Sequence, residues 1–184
     1  MNDLDRYAYP HRVLHWLVAG VLLFSLPIGL TLGFLGFEGA VERFGNALTN
    51  LLYTSHKTLG VMMLGLMIAR VVTRMMFVVP LHEPPLSPFQ RVVSTSVHHL
   101  LYLALLIQPV LGWLATASGD FPVEFFHWHL PGLIGKNTEL SEQLFMWHGW
   151  LGWVILGLVT LHIAGALFHW LFKHDGVMKR MSLF

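Results

Sequence analysis

Histidine is the residue type in this sequence whose number and spacing could support chemistry. The chain has twelve histidines and no cysteine. Without cysteine it cannot build thiolate zinc sites, cysteine-ligated iron–sulfur clusters or the C-x-x-C-H attachment of c-type haem. Imidazole nitrogens are therefore the candidate ligands for any metal or cofactor.

The segments that carry these histidines are apolar enough to cross a membrane. Of the 184 residues, 55% are hydrophobic and only 11% are charged, and the mean hydropathy is +0.61. A membrane-spanning helix needs about 20 apolar residues, and four segments meet that length, at 12–33, 50–77, 92–116 and 144–172. The sequence predicts an all-α membrane protein, a four-transmembrane-helix bundle that forms a single domain over residues 1–184. We see no internal repeat.

The distribution of lysine and arginine predicts the orientation of the chain. If both termini share one side, that side receives Arg6, Arg12, Arg70, Arg74, Arg91, Lys173, Lys179 and Arg180, and the other side receives Arg43, Lys57 and Lys136. The positive-inside rule then predicts cytoplasmic termini in a multi-pass membrane protein. The net charge of +1 gives no reason to expect nucleic-acid binding. The loop at 117–143 is expected to lie partly on the membrane surface.

The depth of each histidine in the membrane predicts which of them can meet. His148 and His162 are 14 residues apart, which places them on one face of a helix and about 21 Å apart along its axis. The fourth span enters from outside, so His148 lies near the outer surface and His162 in the inner half. By the same reasoning His56 lies near the outer surface and His15 in the inner half. Two pairs follow, His56 with His148 and His15 with His162.

Two opposed imidazoles on separate helices in apolar surroundings are the ligand set of a six-coordinate b-type haem. The pairs therefore predict two b haems that carry electrons. Neighbouring glycines are expected to make room for a macrocycle or for a second helix. These glycines are Gly60, Gly149, Gly152 and Gly165.

Four further residues are candidates for polar roles beside the haems. Arg70 either pairs with a haem propionate or acts as a positive-inside anchor. His98 is expected to contact a propionate or a quinone, although His98 or His99 could also compete with His15 for the inner iron. His169 lies two turns beyond His162, where it would hydrogen-bond a quinone carbonyl or simply sit at the membrane interface.

Five fragments of the sequence together resemble the bacterial cytochrome b561 family. They are HRVLHWLVAG, SHKTLGVMMLGLMIARVVTR, HHLLYLALLIQPVLGWL, WHGWLGW and LHIAGALFHWLFKHDGVMKRM. The resemblance implies a four-helix bundle whose two b haems carry electrons across the membrane, with His15, His56, His148 and His162 at the positions of the iron ligands. It also places His169 where the superoxide-oxidising member of the family has a histidine near bound ubiquinone.

This resemblance leads us to expect a protein of the bacterial inner membrane that transfers electrons between a periplasmic donor and ubiquinone or a related quinone. The donor is either superoxide or a redox protein, and in the first case the chain would be a superoxide:quinone oxidoreductase. Lys57 and Arg43 would attract the superoxide anion, whereas the acidic loop at 117–143 would suit a basic protein partner.

Two alternatives belong to other functional classes. Haem-b subunits of hydrogenases and formate dehydrogenases use a similar bundle with the same 14-residue ligand spacing, so the chain could instead be the membrane anchor of a larger redox complex. A histidine-lined transporter of a divalent metal would place carboxylates beside the histidines inside the membrane. The four predicted spans contain no Asp or Glu, which counts against the transporter.

Overall fold

The fold is mostly helical in the computed structural model, which describes residues 6–78, 80 and 86–183. The elements in chain order are α1 (Tyr9–Met76), α2 (Pro88–Ser118), β1 (Val123–Phe125), β2 (Trp128–Leu130), α3 (Thr138–Phe168), a π-helical turn (His169–Lys173) and α4 (Val177–Met181). Three stretches are long and apolar enough to cross a membrane, namely Tyr9–Met76, Pro88–Ser118 and Thr138–Lys173. The prediction of a mostly helical membrane protein is therefore confirmed.

The first helix, α1, folds back on itself. Its backbone is interrupted at Gly36 (φ 66°) and Gly45 (φ 75°), in a left-handed region that glycine adopts without steric cost. A straight helix of 68 residues would be roughly 100 Å long, yet Nη1 of Arg70 lies 3.0 Å from Nδ1 of His15. The first arm (residues 9–35) and the second arm (residues 46–76) therefore lie side by side.

The helices after α1 begin earlier than the sequence predicted, because each start is fixed by a capping residue. Ser87 caps α2 with a capping box, in which its side chain accepts from Gln90 N and the Gln90 side chain accepts from Ser87 N, both at 3.3 Å. Asn137 caps α3 by accepting from Leu140 N at 3.0 Å. These bonds satisfy amide groups that a helix end leaves without partners, so α2 and α3 start at 88 and 138 rather than 92 and 144.

The two chain termini meet at one end of the fold, which we call the termini end. The Arg12 side chain donates to the carbonyl oxygen of Ser182 at 2.9 Å, and the Trp16 indole donates to that of Met181 at 2.8 Å. Arg180 donates to the carbonyl oxygen of Pro80, in the connection between α1 and α2. Both termini and this connection therefore share the termini end.

The opposite end carries a β-hairpin, and we call it the hairpin end. Strands β1 and β2 pair antiparallel, with Val123 opposite Leu130. The hairpin is tied to the second arm because Phe126 N donates to Thr58 Oγ1 at 3.0 Å and Lys57 pairs with Glu124 at 2.8 Å. These strands differ from the expected all-α fold, in which 117–143 is a loop. A stretch of aromatic residues on three-residue strands is too short to show a clear alternation.

An apolar core fills the middle of the fold between its two ends. It consists of Val18, Met63, Met67, Ala104, Leu105 and Ile155. On the second arm Met63 and Met67 lie between His56 and Arg70, and on α3 Ile155 lies between His148 and His162. The core therefore separates two levels of histidines.

The two halves of the fold repeat one sequence pattern. Residues 56–66 read HKTLGVMMLGL and residues 148–158 read HGWLGWVILGL, so six of eleven positions are identical. In the preceding helices the counterparts are His15 with His98, Ser25 with Gln108, and Gly29 with Gly112. The expectation of no internal repeat is therefore wrong. The repeat is hidden because the arms of α1 are joined by a much shorter connection than α2 and α3, so no single period relates the halves.

Candidate functional site

The rings of His56 and His148 face each other near the hairpin end. His56 is on the second arm and His148 on α3, and their ring centroids lie 6.0 Å apart with the planes at 88°. These are the residues that the depth argument expects to be neighbours at the outer level. We call them the hairpin-end pair.

Each ring of the hairpin-end pair is oriented by a backbone carbonyl on a neighbouring helix. His56 Nδ1 lies 3.0 Å from the Ser25 carbonyl oxygen, and His148 Nδ1 lies 3.0 Å from that of Gln108. A carbonyl oxygen can only accept, so Nδ1 carries the proton in both rings. Each Nε2 is then left with a free lone pair, which is the arrangement found in metal-ligating histidines.

Two glycines make room for the same two rings. A Cβ atom at Gly29 would lie 2.5 Å from His56 Cε1, and one at Gly112 would lie 2.9 Å from His148 Cε1. Each glycine comes four residues after the residue whose carbonyl binds the ring. Sequence reasoning missed both glycines and named Gly60, Gly149, Gly152 and Gly165 instead. Only at Gly152 would an added Cβ have a neighbour within 4 Å, the closest being Gln108 Nε2 at 3.6 Å.

Three histidines meet at the level nearer the termini end. The ring centroids of His15 and His162 lie 6.1 Å apart, and those of His98 and His162 lie 5.1 Å apart. The expected pair of His15 and His162 is thus joined by His98, which sequence reasoning had named as a competitor. We call these three residues and Arg70 the termini-end cluster.

Arg70 is a buried cation in the termini-end cluster, with only 8% of its surface exposed. Its Nη1 donates to His15 Nδ1 at 3.0 Å, its Nε donates to the Tyr102 hydroxyl at 3.3 Å, and the guanidinium lies 5.2 Å from the Tyr102 ring centroid. Among the described residues no carboxylate pairs with it. A buried charge held only by neutral groups is costly, so this site favours an anion.

His98 and His99 bind their own helix. His98 Nδ1 donates to the Ser94 carbonyl oxygen at 2.6 Å, and His99 Nδ1 donates to the Thr95 carbonyl oxygen at 2.8 Å. Of these two histidines, His98 is the one whose ring contacts the ring of His162. Of the two residues, His98 is therefore the one placed to compete with His15.

His169 is not part of either ring group, because it lies in the π-helical turn beyond α3. Its Nδ1 pairs with the Asp175 carboxylate. Beside this turn a cavity of about 410 Å³ is lined by Trp16, Trp170, His174, Gly176, Val177, Met178, Lys179 and Ser182. The Trp16 ring also lies 5.3 Å from the His15 ring, so the cavity adjoins the termini-end cluster.

The charge expected from Lys57 is neutralised in the structure. Lys57 Nζ lies 2.8 Å from Glu124 Oε2 and 3.1 Å from the Pro122 carbonyl oxygen. The expectation that Lys57 attracts an anion assumed a free ammonium, and the hairpin brings a carboxylate to it from far along the chain. Arg43 is exposed.

The histidine groups fit a haem better than a bare metal ion. Two imidazoles on opposite sides of one metal, each bonded at about 2.0–2.1 Å, have ring centroids roughly 6 to 6.5 Å apart, which is close to the 6.0 and 6.1 Å found here. Within residues 6–78, 80 and 86–183, no group of three or more His, Cys, Asp or Glu side chains could hold a metal ion. Two protein ligands suit an iron whose other four positions come from a macrocycle, and the transporter alternative gains no support.

Comparison with known proteins decides the family. The family model described as prokaryotic cytochrome b561 matches residues 6–182. The chain belongs to this family. The resemblance seen in the sequence is confirmed, and membership indicates a membrane protein that binds haem b and transfers electrons.

Three curated relatives cover almost the whole chain of this family member. "Cytochrome b561 homolog 2" of Escherichia coli (strain K12) is 25% identical over 181 residues, which are 98% of this chain and 93% of the relative. "Cytochrome b561 homolog 1" of the same strain is 24% identical over 97% of each chain. "Cytochrome b562" of Cereibacter sphaeroides is 27% identical over 98% of each chain.

Proposed function

We propose that this protein carries electrons across the bacterial inner membrane through two b haems, between a periplasmic donor and a membrane quinone. The observation that carries the proposal is the pair of facing histidine rings at each of two levels, 6.0 and 6.1 Å apart. Haem iron bound by these histidines would supply one-electron chemistry.

The proposed topology has four membrane spans in one domain, formed by the first arm, the second arm, α2 and α3 with its π-helical turn. The termini lie on the cytoplasmic side, since the termini end has eight lysines and arginines by this topology and the hairpin end three. The contacts of Arg12 and Arg180 at the termini end support this assignment. The hairpin-end pair then lies near the periplasm.

The residues divide into ligands and groups that hold them. At the hairpin end His56 and His148 are the ligands, presenting Nε2 while Nδ1 binds a carbonyl. At the termini end His15 and His162 are the proposed ligands. Because His15 Nδ1 accepts from Arg70 in the structure, His15 Nε2 would be free to bind iron once Arg70 turns to a haem propionate. Arg70 provides the positive charge for a haem propionate, and His98 is a second polar contact for a propionate or a quinone.

The proposed quinone, ubiquinone or a relative, is reduced or oxidised at the termini end. The cavity beside the π-helical turn supports this because Trp16 lies between it and His15. His169 is the proposed hydrogen-bond donor to a quinone carbonyl, because it lies in the π-helical turn that borders this cavity.

The proposed donor at the hairpin end is superoxide or a periplasmic redox protein. Superoxide would make the protein a superoxide:quinone oxidoreductase, and the exposed Arg43 would then be the cation that attracts it. Lys57 contributes less to this attraction because Glu124 neutralises it.

A second candidate function is that of a membrane-anchor subunit that receives electrons from a hydrogenase- or dehydrogenase-type partner. The hairpin end favours it through exposed aromatic side chains, since Phe121, Phe126 and Trp128 are each 59% exposed. Exposed aromatic side chains of this kind suit a protein–protein contact as well as the membrane interface expected for this loop. Co-purification from native membranes distinguishes the two, because only the anchor subunit would remain with a partner enzyme.

The function as a dihaem electron carrier is tested by visible spectroscopy of the purified chain. We expect sharp b-type bands in the reduced-minus-oxidised spectrum and two haems per chain. In proteoliposomes with a trapped reductant and external quinone, both haems should be reduced and then reoxidised. A colourless protein, or haems that never exchange electrons with quinone, would overturn the proposal.

A further inference from the structure

Gln108 on α2 makes a reciprocal contact with His148 on α3. The Gln108 carbonyl oxygen accepts from His148 Nδ1 at 3.0 Å, and Gln108 Nε2 donates to the His148 carbonyl oxygen at 2.9 Å. The first bond fixes the ring, and the second fixes the backbone that carries the ring. Together the two bonds hold both the ring and the backbone of His148.

The surroundings of this contact allow the extra bond. The His148 carbonyl is inside α3 and is expected to accept the helical bond from Gly152 N as well, which its second lone pair permits. A Cβ at Gly152 would lie 3.6 Å from Gln108 Nε2, an ordinary van der Waals distance, so the amide packs directly against this turn of α3.

The side-chain oxygen of Gln108 is left without a partner. Oε1 is buried and, among the described residues, no group donates to it. The amide cannot simply turn round, because an oxygen facing the His148 carbonyl would place two acceptors together. A buried acceptor without a partner destabilises a fold, so the amide is better explained by its action on His148 than by stability.

The internal repeat supplies a natural comparison. Ser25 is the counterpart of Gln108, and its carbonyl oxygen accepts from His56 Nδ1 at the same 3.0 Å. Its hydroxyl lies 3.4 Å from that ring nitrogen. No bond from Ser25 to the His56 backbone is found in the described part of the chain, so only the α2–α3 half of the repeat has the second bond.

We infer that the Gln108 side chain is a positioning group that holds the His148 backbone in place, so that the ring keeps its bond to the Gln108 carbonyl, and that it thereby tunes the reduction potential of the hairpin-end haem. This inference rests on the proposed function. A firm bond from Nδ1 makes a histidine ligand more basic, which stabilises the oxidised iron. Loosening His148 should therefore raise the potential.

The test compares Gln108→Met, which keeps the length and removes the amide, with the same change at Gln143, an exposed glutamine on α3, in the full-length holoprotein. Redox titration followed in the b-type bands gives the two potentials, and low-temperature EPR reports the ligand geometry at each haem. Gln108→Met should raise the reduction potential of the hairpin-end haem. The expected rise corresponds to an about threefold to tenfold change in the reduced-to-oxidised ratio, and a tenfold change is about 59 mV for one electron. Gln143→Met should change neither haem.

The other possible outcomes would overturn either the inference or the proposed function. Gln108→Asn is the second test variant, for use if Gln108→Met folds poorly. It keeps a polar amide but is too short to reach the His148 carbonyl oxygen, so it should raise the hairpin-end potential as Gln108→Met does. An unchanged potential and EPR signal at the hairpin-end haem in either variant overturns the inference, as does loss of both haems in both variants, which indicates a merely structural role. A wild-type protein without two haems overturns the proposed function instead.

Discussion

The hairpin-end pair and the termini-end cluster place histidines at similar separations but hold them in different ways. At the hairpin end both rings donate to backbone carbonyls and rest on glycines. At the termini end His15 accepts from a buried arginine, and His162 has two histidine neighbours. The chain itself therefore holds both rings of the hairpin-end pair in place. The termini-end cluster instead needs an anion beside Arg70, and either His15 or His98 could be the partner of His162.

The choice of ring at the termini end gives the largest expected effect. His15→Ala should remove the termini-end haem, and the haem content should fall from two to about one per chain, measured as the pyridine haemochrome. The matched change His98→Ala should keep both haems, because the His98 ring centroid lies 5.1 Å from that of His162, closer than two rings that bind one metal from opposite sides. The reverse pattern would make His98 the ligand.

The preorganisation of the hairpin end can be broken through Gly29. Gly29→Ala places a Cβ 2.5 Å from His56 Cε1, so the ring must move and the hairpin-end haem should bind about 10- to 100-fold more weakly, as for other residues that orient metal ligands. Haem transfer to apomyoglobin measures this loss.

Two variants calibrate the glycine prediction. Gly112→Ala should have a smaller effect, because its Cβ would lie 2.9 Å from His148, and Gly20→Ala should have none, because nothing lies within 4 Å of its Cβ. Equal behaviour of the Gly29 and Gly20 variants would show that the hairpin-end rings do not depend on this packing.

The anion requirement at the termini end is tested by Arg70→Gln. A nearby positive charge favours reduced iron, so its removal should lower the potential of the termini-end haem by up to an about tenfold change in the oxidised-to-reduced ratio, about 59 mV. The hairpin-end potential should stay constant. Arg91→Gln, an exposed position, is the control, and an equal shift in both variants would point to a general charge effect.

The smallest expected effect concerns the hairpin itself. Lys57 and Glu124 are partly buried, with 21% and 23% of their side chains exposed, and such a pair contributes about 0–1 kcal/mol. Glu124→Gln should lower the thermal midpoint of Soret-band loss slightly. Asp120→Asn breaks the more exposed pair with Lys136 and should have no measurable effect. A larger loss from Asp120→Asn would contradict this ranking.

The histidine pairs could be anticipated from the sequence, because spacing along a helix and the alternation of spans fix depth in a membrane. The groups that orient them could not. Ser25, Gln108, Gly29 and Gly112 act across helices, so their roles depend on how the first arm and α2 are rotated. The shared spacing His-x9-Ser/Gln-x3-Gly was the available signal, and it becomes visible only once the repeat is recognised.

Contacts between residues that are far apart in the chain could not be predicted from the local sequence. Nothing local to Lys57 indicates that the hairpin will return Glu124 to it, and nothing local to Arg70 indicates that His15 will be its partner. Helix starts were misplaced for a simpler reason, since Ser87 and Asn137 extend helices beyond their apolar stretches through capping bonds.

The most direct test of the account is the haem content and spectrum of four single variants, His15→Ala, His56→Ala, His148→Ala and His162→Ala. We predict about one haem per chain in each. His56→Ala and His148→Ala should lose the same spectral component, and His15→Ala and His162→Ala should lose the other. Retention of both haems in any of the four, or loss of different components within a pair, would contradict the assignment of two histidine pairs to two haems.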